Sequence, residues 1–277
     1  MVNLEAVWDR TTEFVGERRA DVIPIALLLL FVPLGLMNTL IGLIGLIGRE
    51  TGVRNIALGL AAVALAVVTI WGHLALTALV LEARGWKAAV RSGAGRLPMA
   101  VLISLIEMAV VVLAAAPIFV ASAMSGIVPG QTQTGSLPPM DFGTAMFILF
   151  YSLVFVIAGL VLVARLLLVN AALVGERRGV SALIRSLGLT RGMTLKLVGV
   201  VLLYILVSQV AALATKTVFG AILGLLTLGS DTATVATVIT TALVTLVQTG
   251  FTALATVFTA RLFIAVRDMR ETIVELV

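Results

Sequence analysis

The chain has 277 residues, 61% of them hydrophobic and 12% charged, with a net charge of +5 and no cysteine. A mean hydropathy of +1.18 excludes an ordinary soluble domain, in which about 25% of residues are charged. Zero cysteines exclude disulfides and thiolate metal sites. The pI near 10.4 would suggest nucleic acid as partner of a soluble protein, but here it points to anionic lipid and to topology.

The first stretch, "MVNLEAVWDRTTEFVGERRAD", is too mixed and charged for a signal peptide, and the apolar run after it is too long for an h-region. Its periodicity predicts an interfacial helix over about residues 3–19, with Leu4, Val7, Trp8, Thr11 and Val15 on one stripe and Arg10, Glu13, Arg18 and Arg19 elsewhere. Six apolar runs follow, at roughly 22–47, 56–81, 98–124, 143–174, 194–215 and 232–266. Each is long enough for the ~20 residues that cross a bilayer as helix. They are continuous rather than alternating, so helices and not barrel strands satisfy their backbone groups in lipid. Residues 125–142, rich in Pro, Gly, Ser and Thr, read as a loop. The apolar stretch 217–229 is too short to span and is either an extension of the fifth helix or a re-entrant or interfacial segment. The fold class is therefore an all-α polytopic membrane protein, one domain over 1–277.

Two charged stretches sit between spans: "LEARGWKAAVRS" at 81–92 and "GERRGVSALIRS" at 175–186. Glu82, Arg84, Gly85, Ala88, Arg91 and Ser92 match Glu176, Arg178, Gly179, Ala182, Arg185 and Ser186 at a constant offset of 94 residues. The offset covers two spans, so the pattern predicts a parallel internal repeat with units near 56–124 and 143–215. In each unit an amphipathic helix in the membrane surface is expected, then a break at Gly or Pro, then a span. Trp86, Ala89, Val90, Gly93 and Leu97 mark the first stripe; Val180, Leu183, Ile184 and Leu187 mark the second.

All but Arg49, Arg54 and Lys216 of the 19 Lys and Arg residues fall on one side of the predicted spans. By the positive-inside rule that side, with both termini, is cytoplasmic, as in a bacterial inner membrane protein.

Residues 182–203, "ALIRSLGLTRGMTLKLVGVVLL", resemble the "RRSW-x-LT-x-G" segment and leucine-rich span of the bacterial glycerophosphoryl diester phosphodiesterase membrane-domain family. Arg185, Ser186, Leu189, Thr190, Arg191 and Gly192 fit; Leu187 stands where that family commonly has Trp. The resemblance implies a small integral membrane protein. It implies no catalytic residue, because in fused members the activity belongs to a separate domain.

Ionisable groups inside spans are functional candidates because burying them is costly. His73, Glu107 and Arg165 each lie roughly 13–17 Å along a helix from a charge at the basic side, at 1.5 Å per residue, and so can share one level. A Glu107–Arg165 ion pair is one expectation; a packing role for His73, the one histidine of the chain, is another. The sixth span carries threonines at spacings of three or four, Thr241, Thr245 and Thr249 among them, which read as packing or as a polar groove with Gln209 and Gln248. No nucleophile with a base, no paired carboxylates and no metal-ligand spacing is present in the sequence, so no cofactor and no enzyme are expected. Three functional readings remain: a non-enzymatic protein binding anionic phospholipids through Arg84, Lys87, Arg91, Arg178, Arg185 and Arg191; a transporter or channel using the threonine face with Glu107 and Arg165; or a structural subunit of a membrane complex. Membrane phospholipids are the expected partner, nucleic acid is not, and a homo-oligomer or protein partner stays open.

Overall fold

The computed structural model describes residues 3–47, 53–82, 85–125, 141–177, 179–226 and 233–275. Among them every regular element is helical. Six helices are long and apolar enough to cross a membrane, and the protein is a multi-pass all-α membrane protein.

Helix α1 (Leu4–Glu17) opens on Asn3, whose side chain accepts from the N–H groups of Glu5 and Ala6 and so satisfies donors that a helix start leaves orphaned. The first span is composite: α2 (Arg19–Ala26), a π-helical turn over Leu27–Phe31, and α3 (Val32–Ile47). Pro33 cannot donate to Leu29, and the widened turn, with Val32 bonding to Leu27, accommodates that lost donor. The Leu29 carbonyl then presses on α4 (Val53–Glu82), where a Cβ on Gly72 would lie 2.7 Å from it. Only glycine fits there.

The most apolar window of α4 is 44% buried, against none of that of the fourth span, so α4 is the central helix. Its residues Leu74 to Val80 are buried on every face, as expected of a helix surrounded by protein. Beside it runs α5 (Trp86–Met124), its first N–H held by the Asp21 carboxylate of α2 at 3.0 Å. Gly93 of α5 brings the two backbones together: a Cβ there would meet the Ala75 nitrogen at 2.9 Å. In lipid, where tails are as apolar as leucine, such close small-residue packing supplies much of the association.

The second half contains α6 (Phe142–Leu166), α7 (Val169–Gly175), α8 (Ser181–Leu189), α9 (Thr194–Leu226) and α10 (Ala233–Glu275). The stretch after Lys216 continues α9 as far as Leu226; residues 227–232 and the predicted loop 126–140 lie outside the described residues. Six crossings bring α1 beside the far end of α10, where Trp8 meets Phe258 and the Arg261 guanidinium stacks on Phe14 at 4.7 Å.

The two matching charged segments are built differently. Around Ser181–Leu189 the expected short helix is separate, ended by Gly192 at a φ of +87°, a left-handed conformation that glycine adopts without a Cβ penalty. The residue at the same offset in the first segment is Pro98, whose ring locks φ near −65°. No left-handed break can form there, and α5 runs without interruption from Trp86 through Pro98. The expected surface helix of the first segment is thus the first turns of a span.

Two of the three predicted lipid-facing stripes are covered by protein. In α1 the buried face is Val7, Thr11 and Phe14, packed toward α10, with Trp8 half exposed. In α5, Ala89 and Gly93 are buried against α4. In α8 the buried face is Ala182, Ser186 and Leu189, while Val180 and Ile184 of the predicted stripe are exposed, Ile184 at 75%. Periodicity finds the apolar face of a helix; it does not say whether lipid or a neighbouring helix covers it.

Candidate functional site

The basic residues at the α1–α8 end, singled out by the sequence as a lipid-binding collar, divide into separate roles. The Arg185 guanidinium donates through Nε to both carboxylate oxygens of Glu176, at 2.9 and 3.1 Å, so an ion pair fixes the position of this partly exposed side chain. The matching carboxylate of the first segment, Glu82, instead accepts from the Ser92 hydroxyl at 2.9 Å. Arg270 donates to the carbonyls of Gly188 and Leu189, which end α8, the placement a cation takes at a helix C-terminus. Lys87, stacked 5.6 Å from the Trp86 ring, and Arg91 and Arg191 are exposed. Arg84 and Arg178 lie outside the described residues.

Arg165 is used through its backbone. Where α6 gives way to α7, its carbonyl accepts from the Ser186 hydroxyl at 2.7 Å, and the Thr190 hydroxyl, which donates to the Ser186 carbonyl at 2.9 Å, lies 3.3 Å from the Arg165 oxygen; both residues are fully buried. Its side chain is exposed, and among the described residues no ion pair joins it to Glu107. The expected pair is therefore not formed. Leu162 and Leu166 of α6 are partly buried toward the other helices, and a helix turning about 100° per residue carries Arg165 away from that face.

Glu107 lines a cleft of about 430 Å³ between the helices, open on the side where Val111, Val163 and Asn170 of its wall are exposed. Polar side chains reach it from five helices: His73 and Thr77 of α4, Ser104 and Glu107 of α5, Asn170 of α7, Tyr204 of α9, and Thr252, Thr256 and Thr259 of α10. Each set has helical spacing, four apart on α4, three on α5, three or four on α10, so each helix turns one polar strip to the same space. The α6 residues form an apolar wall. Among the described residues neither a lysine nor an arginine lines the cavity, and Glu107 is the one residue of that lining with a formal charge. A second cleft, about 490 Å³ and lined by Leu113, Pro117, Val120 and Phe147 among others, offers no polar side chain.

The hydrogen bonds fix what the cavity presents. Thr77 donates to the His73 carbonyl at 2.8 Å, Thr252 to that of Gln248 at 2.8 Å, Thr256 to that of Thr252 at 2.8 Å, and Thr259 to that of Thr256 at 2.9 Å. A hydroxyl has one proton and two lone pairs. These threonines give their proton to their own helix and keep lone pairs to offer. The Thr256 oxygen also lies 2.9 Å from Nδ1 of His73. With the Thr256 proton directed to a carbonyl, the tautomer of His73 that fits this contact has its hydrogen on Nδ1. The described wall thus offers threonine lone pairs and one carboxylate, beside the Asn170 amide and the Ser104 and Tyr204 hydroxyls, which can also donate.

The threonines that the sequence singled out stand above this site. Thr241 is exposed; Thr245 is buried and accepts from the Asn38 amide at 3.2 Å; Thr249 is buried and donates to the Thr245 carbonyl. The stripe is thus not one continuous groove, and the cavity takes only its lower third. Gln209 is exposed and Gln248 is not on the cavity wall. Ser104, Asn170 and Tyr204 were not read from the sequence. Asn170 could have been, as a lone amide inside the apolar run "LLLVNAALVG".

No family model, no curated protein and no solved structure matches this chain. The resemblance of residues 182–203 rests on those residues alone.

Proposed function

We propose that this is a non-enzymatic membrane protein whose working site is the Glu107 cavity, where it receives a polar solute or headgroup within the bilayer. The observation that supports this reading is the convergence of polar strips from five helices on one space beside a carboxylate without an ion-pair partner among the described residues. A polar group in hydrocarbon that serves only packing is normally closed off by a partner, whereas these face a volume large enough for several non-hydrogen atoms. Transport or presentation of a solute fits that arrangement better than catalysis, because the cavity holds no nucleophile activated by a base.

The test uses the natural absence of cysteine. In proteoliposomes a water-soluble maleimide should modify Ser104→Cys, on the cavity wall, and spare Leu105→Cys, whose side chain is 51% exposed on the outer face of the bundle. Equal protection of both would reject an aqueous path to the cavity.

A second reading keeps the basic end as a contact for anionic phospholipid. It is supported by the exposed Lys87, Arg91 and Arg191 lying at the same end as the exposed apolar Val180 and Ile184, the pairing of charge and apolar surface that interfacial binding uses. Native mass spectrometry should show less phosphatidylglycerol or cardiolipin retained by the triple Gln variant. This reading places α1, α8 and both termini in the cytoplasm of a bacterial inner membrane protein. Cysteine at Ser181 then labels only from the cytoplasmic side.

A further inference from the structure

We infer that the guest of the Glu107 cavity is a primary ammonium group, a cation that also donates several hydrogen bonds. The inference deepens the proposed function and rests on it. Three observations converge. First, among the described residues the only formal charge on the wall is the Glu107 carboxylate, and neither lysine nor arginine stands there to receive an anion. A carboxylate at this depth is costly unless it is neutralised, and a guest cation supplies the missing charge.

Second, the hydroxyls are oriented by their own helix. Thr252, Thr256 and Thr259 direct their protons to backbone carbonyls, so toward a guest they act as acceptors. His73 lines the same space, and in the tautomer with hydrogen on Nδ1, which fits its contact with Thr256, its other ring nitrogen has a lone pair. Third, an ammonium has three N–H donors and no acceptor, which matches the Glu107 carboxylate and the lone pairs of the three threonines, while Ser104, Asn170 and Tyr204 can accept as well as donate. A quaternary ammonium carries the charge but no donor and would leave those acceptors unmet, and a carboxylate or phosphate would meet like charge at Glu107. Tyr204 places an aromatic ring on the same wall, which favours a cation of either kind.

Primary ammonium groups come from two sources, a free amine in water and the headgroup of an aminophospholipid. The experiment separates them. Ser104→Cys, with Thr259→Cys as a second reporter, is labelled by maleimide in phosphatidylcholine nanodiscs while ethanolamine, tetramethylammonium or acetate is titrated in. A parallel arm replaces part of the phosphatidylcholine with phosphatidylethanolamine. Protection by ethanolamine, or by phosphatidylethanolamine, is expected, with tetramethylammonium much weaker and acetate inert. The arm that protects identifies the source. Glu107→Gln should weaken that protection about tenfold or more, since an ion pair near 4 Å in a protein environment exceeds the energy of one decade of affinity. Equal protection by tetramethylammonium overturns the donor-matching part, and protection by acetate overturns the cation. Labelling that no probe slows overturns the inference and leaves the cavity as a working site; reporters that never react remove the proposed function itself.

Discussion

The basic end of the bundle and the Glu107 cavity use charge in opposite ways. At the basic end cations are numerous and several are tied into the frame: Arg185 to Glu176, Arg270 to the last carbonyls of α8, Arg261 to the Phe14 ring. In the cavity a single carboxylate stands among hydroxyls, an amide and an imidazole, with no cation among the described residues of the wall. Charge near water is cheap and can serve capping, orientation and packing, whereas charge inside the bilayer is expensive and persists where something uses it. The difference teaches that density of charge locates the frame and isolation of charge locates the site. It follows that changes at the basic end should show as lost stability with the cavity's preference for cations intact, and changes in the cavity as the reverse.

The largest loss is expected from Gly192→Pro, which puts into the second segment the residue that the first has at Pro98. Proline cannot take a φ of +87°, so α8 cannot end where it does, and thermal unfolding in detergent should report a loss of about 3 kcal/mol or more. Gly192→Ala should cost about 1–2 kcal/mol, the left-handed penalty of a Cβ.

Next comes Gly93→Leu, which copies Leu187 into the first segment. With the Ala75 nitrogen 2.9 Å from the position of a Cβ, the added side chain must push α4 from α5, and about 1–3 kcal/mol of overpacking is expected. Denaturant titration of this variant beside Leu187→Gly, at a position only half buried, would blur the comparison if the two losses were alike.

Glu176→Gln should be milder. The pair with Arg185 is partly exposed, at 35% for the arginine side chain, and such pairs contribute about 0.2–1 kcal/mol. The same change at Glu82 should cost still less, because an amide oxygen can accept from Ser92 as a carboxylate does.

Smallest in stability is Glu107→Gln. No ion pair among the described residues is broken, and an amide is easier to bury than a carboxylate, so the melting temperature should stay level or rise. A loss of several kcal/mol, the usual cost of breaking a buried pair, would mean that the carboxylate is part of the frame.

Much of the frame was legible because lipid imposes simple rules. Runs of apolar residues long enough to span are helices, and all six appear within a few residues of the expected limits, except that the third begins at Trp86 and the fifth continues to Leu226. The depth argument for His73 and Glu107 uses only helical rise, and the two do line one cavity. What could not be read depends on contacts across the bundle. The Arg165 side chain is on the flank of α6 for a reason of helix rotation that spacing alone does not reveal. Arg185 is paired because Glu176 curls back over a break containing Arg177 at a φ of 52°, and no pattern of residue types announces that conformation. The division of the threonine stripe follows from where α3 and α4 touch α10, which only the packed helices decide.

The account's central claim, that the isolated carboxylate rather than the basic end governs what enters the cavity, is tested most directly at Ser104→Cys. The measurement is the ratio of modification rates by a cationic and an anionic methanethiosulfonate reagent in proteoliposomes. The account predicts a ratio well above that in free solution, a collapse of it in Glu107→Gln, and no change when Lys87, Arg91 and Arg191 become Gln, since surface charge is screened within ~8–10 Å at physiological salt. A ratio that ignores Glu107 and follows the three surface cations would contradict it.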